Sequence, residues 1–380
     1  MKRLLSFAAA AATVLFAACQ KTEVVYDNPD PQEIALFAVN KVATKAPVSG
    51  TLYPVDYDMQ VAAYLSAGGI SAGDYFDNTT FTKKDAGSTW AGGKYWPLTS
   101  STLNFLAVTN PKTVGDYTGT VSTVQFGESS GSPAVYSNFA KKAVVTLTDN
   151  QTTASKFNQF DLMFAAGLQS NVITTSGSST YNNVGLQFTH ALSWINFAVN
   201  KNDVAAKITV NSIRLNGASY GGTLTLTNAN YSSPTTSVTT DVTPVWNPVS
   251  AKVDNVYVPN GSADTGSGLA DKKTTANALA TEVVLGTGDP VSFGNGLLVV
   301  PGEYAANALS FTINYTIDQD GNDGTTSDVN TFEYTYKLPV TTWTYSNKYT
   351  YNITIKLTEI EVAPTTSGWT TPAGTDVPLV

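Results

Sequence analysis

The 380-residue chain has one cysteine and one histidine, and its only arginines are Arg3 and Arg214. A single cysteine rules out an internal disulfide framework, so stability must come from a large apolar core or from other chains. One histidine and one cysteine cannot supply the ligand set of a zinc centre. Charged residues are also scarce, at 13% against roughly 25% in ordinary domains. The balance is acidic, with a net charge of −8, and offers no basic patch for a nucleic acid. No apolar run is long enough for a comfortable membrane span. Amphipathic helical patterning is confined to short pieces around Asn138–Lys142 and residues 270–281.

What fills the gap is Thr, Ser, Asn and Gly, together with 19 Tyr and 16 Phe. β-Branched and aromatic residues favour strands, and small polar residues favour turns. The opening residues read as an export signal over 1–18: Lys2 and Arg3, then an apolar stretch of about 14 residues from Leu4 to Ala17. Cys19 follows Ala17-Ala18, where a lipoprotein signal peptidase cuts and a lipid is attached. With Lys2 and Arg3 removed, 19 basic residues face 29 acidic ones, leaving the mature chain near −10.

Residues 19–33 are polar, carry Pro29 and Pro31, and read as a tether. Ile34–Val42 is a short apolar run that predicts a buried strand. The irregular Ala43-Thr44-Lys45-Ala46-Pro47 comes next. Strand patterns then alternate with turns: Gln60–Leu65, Phe76–Thr82, Leu103–Val108, Phe157–Met163, Val184–Phe188, Ala191–Val199, Ile208–Leu215, Thr223–Thr227, Leu297–Val300, Leu309–Ile317, Phe332–Leu338 and Tyr349–Leu357. This rhythm predicts β-sandwiches. The length suits two domains at roughly 150 residues each. The boundary falls in the Ser/Thr/Gly-rich stretch 168–183, giving domains at 34–175 and 176–363 and a tail at 364–380.

Chemistry-bearing motifs are weak. His190, Ser193 and Asp161 suggest a triad on paper, but no serine sits in a Gly-x-Ser-x-Gly elbow. His190 lies inside an apolar strand pattern and reads as a core residue. Asp318–Gly324 resembles a calcium loop, yet an EF-hand needs Gly at its sixth position and Glu at its twelfth. Counted from Asp318, those positions are Asp323 and Val329. No pair of carboxylates is marked out for glycoside chemistry. Trp194, Trp246 and Trp343 sit in strand-like surroundings. The expectation is a non-enzymatic protein without cofactor or metal.

Several segments in order carry a family resemblance. They are the signal ending at Cys19, Ile34–Val42 with Ala43–Ala46, Lys94-Tyr95-Trp96-Pro97 before Leu103–Ala107, and Asp161-Leu162-Met163-Phe164-Ala165. Leu186–Ser193, Val299-Val300-Pro301-Gly302 and Trp343–Tyr351 complete the set. The chain resembles the fimbrillin family, the type V pilins of anaerobic gram-negative bacteria. The resemblance implies two tandem transthyretin-like β-sandwich domains, export as a lipoprotein to the outer membrane, surface proteolysis and polymerisation by strand exchange into an adhesive fibre.

Set on this sequence, lipid attachment falls at Cys19 and proteolytic processing at Lys45-Ala46. The displaced strand carries Ile34, Leu36, Phe37, Val39 and Val42. Trp369, Val377 and Leu379 are apolar side chains in a tail broken by Pro364, Pro372 and Pro378, and are the candidates for a donated strand. Expected partners are other copies and related pilin subunits, outer-membrane lipid, a surface protease and a host or bacterial surface receptor. The alternatives are a monomeric glycan-binding surface lipoprotein, or a tip or anchor subunit of the same fimbria.

Overall fold

The structure is a computed structural model. It describes residues 31–38, 57–68, 73–84, 89–111, 121–128, 141–147, 161–173, 179–180, 184–202, 206–228, 242–248, 256–257, 283–319, 329–356 and 360–368. All regular structure among them is β. In the first half the strands are β1 (Glu33–Ala38), β2 (Tyr57–Gly68), β3 (Gly73–Lys83), β4 (Thr89–Tyr95), β5 (Ser101–Pro111), β6 (Val121–Glu128), β7 (Lys141–Leu147) and β8 (Met163–Ile173). Three short strands follow: β9 (Ser179–Thr180), β10 (Val184–Leu186) and β11 (Thr189–His190). The second half contributes β12 (Ser193–Lys201), β13 (Lys207–Asn216), β14 (Gly222–Asn228), β15 (Val242–Pro248), β16 (Val256–Tyr257), β17 (Val283–Val284), β18 (Val291–Val299) and β19 (Gly302–Tyr304). It ends with β20 (Ser310–Asp318), β21 (Val329–Lys337), β22 (Thr341–Trp343), β23 (Asn347–Ile355) and β24 (Ile360–Gly368).

The N-terminal sheet runs β10-β1-β4-β3-β2-β5-β8-β11, with β9 on β8. It folds back so that β10 packs against β8. The enclosed core includes Ile34, Leu36, Met59, Val61, Phe81, Trp90, Phe105 and Leu186. The last strand of this sheet ends at His190, so β10 and β11 belong to it although the 168–183 stretch precedes them.

The C-terminal half is a sandwich of β18-β12-β23-β24 on β16-β13-β20-β21, with β17 also on β13. Phe197, Phe311 and Tyr351 meet at its centre, ring centroids 5.4–5.9 Å apart.

A further sheet, β15-β14-β7-β6, takes two strands from each half. Its Leu224 and Leu226 close a core with Leu106, Val108, Phe164, Leu192, Leu298 and Val300. This explains why some strands lack alternation. In β5, Phe105 and Ala107 face the N-terminal core while Leu106 and Val108 face the shared one. Strands buried on both faces read as continuous apolar runs.

Local expectations fail in three places. Lys141 and Lys142 open a strand rather than ending a helical piece, because β7 finds its partner in β14. Asp161-Leu162 precede β8 instead of extending it, and the Leu162 carbonyl accepts from the Ala191 N–H at 2.8 Å. Pro364–Gly368, placed by pattern in the tail, continue β24 as an edge strand. An edge is where proline is tolerated in a sheet.

Because the shared core spans both halves, Leu224→Ala should destabilise the protein by about 2–5 kcal/mol. Urea unfolding followed by tryptophan fluorescence and by circular dichroism should show one coincident transition moving to lower denaturant. Two separated transitions would mean the halves are not welded there.

Candidate functional site

The site is built around β1, whose sequence is Glu-Ile-Ala-Leu-Phe-Ala. Side chains alternate across a strand. Ile34 and Leu36 therefore point inward and are fully buried, while Ala35 and Phe37 are half-buried on the other face. Neighbours enclose β1 on both sides. It pairs parallel with β10 through Leu36↔Val184, Phe37↔Gly185 and Ala38↔Leu186. It pairs antiparallel with β4 through Glu33↔Tyr95, Ala35↔Ala91, Leu36↔Trp90 and Phe37↔Thr89, with an irregularity between Glu33 and Ala35. One residue earlier, the Gln32 carbonyl accepts from the Trp96 N–H at 2.9 Å.

Glu33 pins the start of the strand. Its carboxylate accepts from Lys84 Nζ at 2.6 Å and from the Gly93 N–H at 3.0 Å. The Lys84 hydrogen bond holds its pKa below the usual carboxylate value; partial burial opposes this, and the Gly93 N–H and the Lys84 charge add to the lowering. Gly93 has φ +65°, a conformation that glycine adopts without strain. That conformation turns its N–H toward Glu33.

Taking β1 away would open the facing edges of β4 and β10 and empty the core positions of Ile34 and Leu36. Unpaired strand edges are templates for another strand.

The other end of the chain is held differently. Among the described residues β24 is an edge strand paired only with β23, from Asn347↔Gly368 to Ile355↔Ile360. Ile360 and Val362 are half-buried against the C-terminal core, and every residue from Ala363 to Gly368 is exposed. Glu361 pairs with Lys356 at 3.1 Å at the surface.

Of the residues expected to matter, Ile34, Leu36 and Phe37 come together in this strand. Cys19, Val39, Val42, Lys45, Ala46, Trp369, Val377 and Leu379 lie outside the described residues. Glu33, Lys84, Gly93 and Val184–Leu186 were missed as parts of the site. The signal available was a lone acidic residue directly before the apolar run.

The residues that suggested a triad do other things. His190 is buried and its Nδ1 lies 2.9 Å from Asp161 Oδ2, the ring N–H donating to the carboxylate. Ser193 Oγ donates to the Thr344 carbonyl at 2.8 Å. That bond and the one from the Ser346 N–H to the Leu192 carbonyl, 3.0 Å, tie the 344–346 turn to β12. No three His, Cys, Asp or Glu among the described residues are grouped to hold a metal ion. Asp318 ends β20, and residues 320–324 of the acidic loop lie outside the described residues.

The model of the fimbrillin-like family matches residues 32–369, and the chain belongs to that family. No curated protein matches it. Among solved structures it is similar to a fimbrial protein from Bacteroides vulgatus, at 17% identity over 89% of this chain and 100% of that one, TM-score 0.47. It is also similar to the fimbrial anchor protein Mfa2 from Porphyromonas gingivalis, at 10% identity over 89% and 98% of the two chains, TM-score 0.28.

The Glu33 contacts set a pH dependence. A carboxylate whose pKa is lowered by folding adds stability above its unfolded value and loses it as pH falls through the folded one. Wild type should therefore be more stable than Glu33→Gln at pH 7, and the gap should close as pH drops below the ordinary value of 4.5. Unfolding titrations from pH 7 to 3 check this; a gap that stays constant would mean the carboxylate charge is not the anchor.

Proposed function

We propose that this protein is a fimbrial subunit that is exported as a lipoprotein, processed at the surface and polymerised by strand exchange. In this reading Cys19 carries the lipid and holds the precursor on the outer membrane. A trypsin-like protease cuts at Lys45-Ala46. The segment bearing β1 departs, and a strand from a second copy takes its place. The tail bearing Trp369, Val377 and Leu379 supplies that strand.

The observation that carries this reading is the position of β1. An N-terminal strand with two fully buried side chains lies between two other strands, and the chain continues from it toward a lysine. Removing it vacates about 3–6 kcal/mol of gross apolar burial from Ile34 and Leu36. Such a gap cannot persist in water and must refill or collapse. Support also comes from the opposite end, where the chain after β24 starts from an exposed edge.

Two experiments test the proposal. Full-length protein treated with a trypsin-like protease should form heat-sensitive ladders on gels, and a chain lacking residues 369–380 should not. Equal polymerisation of both would contradict donation by the tail, and cleaved protein that stays monomeric would favour a surface adhesin. Intact β1 in assembled fibres would point to a tip or anchor subunit. Cys19→Ala should remove the protein from the membrane fraction; unchanged fractionation would refute lipid attachment there.

A further inference from the structure

The groove around β1 has a feature that apolar filling does not explain. At its mouth Lys84 Nζ and the Gly93 N–H converge on one carboxylate, that of Glu33. When β1 leaves, an ammonium and an oriented N–H remain beside two apolar sites, those of Ile34 and Leu36. A strand that replaces β1 meets a chemical template in fixed order: acid, apolar, small, leucine-sized, apolar.

The sequence contains a match. Asp376-Val377-Pro378-Leu379-Val380 repeats, position by position, the character of Glu33-Ile34-Ala35-Leu36-Phe37. An acid stands for an acid, a β-branched aliphatic for another, and leucine for leucine. The proline falls at Ala35, beside the irregularity in the β1–β4 pairing. Irregular positions are among the few where a sheet accepts proline. A slip of one residue would turn Asp376 or Pro378 into a fully buried site, since every side chain changes face.

Building on the strand-exchange reading, we infer that the groove selects its incoming strand by an acidic residue at the Glu33 position. Asp376–Val380 of a second copy then takes the register of Glu33–Phe37.

Distance permits this. The seven residues between Gly368 and Asp376 can span about 25 Å when extended, so β24 need not unpair. The rival segment is β24 itself. Glu361-Val362-Ala363 begins like Glu33-Ile34-Ala35, but it sets Pro364 at the fully buried Leu36 position, and it is already paired with β23. Asp376 is one methylene shorter than Glu33. The Lys84 side chain, 56% exposed, can follow it, but the fixed Gly93 N–H cannot.

Paired cysteines read the register. In the full chain with Cys19→Ala, Thr89→Cys is combined with Val380→Cys or with Thr365→Cys, and the protein is protease-treated and oxidised. Thr89 lies opposite Phe37, and directly opposed residues are close enough for a disulfide. The Val380 pair should give a covalent ladder on non-reducing gels and the Thr365 pair should not. Asp376→Lys should slow assembly several-fold, and Asp376→Glu should match or exceed wild type.

Heat-sensitive ladders with covalent links only through Thr365, or through neither, would overturn the register and leave strand exchange standing. Wild-type assembly by Asp376→Lys would overturn the selection by charge. Covalent monomers alone would place the segment in its own groove, and no ladder of any kind would remove strand exchange and this inference together.

Discussion

The N-terminal half depends on β1 lying between β4 and β10. Among the described residues β10 has no ladder partner except β1. The sheet is therefore joined across that gap by one six-residue strand from the start of the domain. Its contact with Val184–Leu186 links residues about 150 positions apart, so seating the strand carries the entropy of closing that loop. The return comes from main-chain pairing on both sides, two buried aliphatic side chains and the Glu33 contacts. Losing the strand would cost all of these together.

Elsewhere the molecule is arranged to stay intact. The shared sheet and the core it covers join the halves through side chains from β5, β8, β14 and β18. Asp161 and His190 add a buried polar contact where the chain crosses from one half to the other. The fold thus has a welded middle, where one core serves both halves.

Much of this was legible in the sequence where local pattern and burial coincide. Ile34 and Leu36 could be read as core because an apolar run stood between a polar tether and an irregular piece. His190 could be read as structural because its neighbours were apolar. β7 could not be read, since its partner β14 lies in the other half and a non-local pairing leaves little local trace; β6 is held in turn by β7. β24 was hidden by Pro364, Gly368 and its hydroxyl residues, which an edge tolerates and an interior strand does not. The anchoring of Glu33 depends on the positive φ of Gly93, about 60 positions away. No periodicity encodes such a contact.

Hydrogen–deuterium exchange across the groove tests the central claim most directly. Amides of Thr89–Tyr95 and Val184–Leu186 should be protected in the full chain. They should lose protection when the segment before Ala46 is removed, and regain it in the assembled fibre. Protection that does not change on removal, or does not return on assembly, would mean that β1 is not the strand that is exchanged.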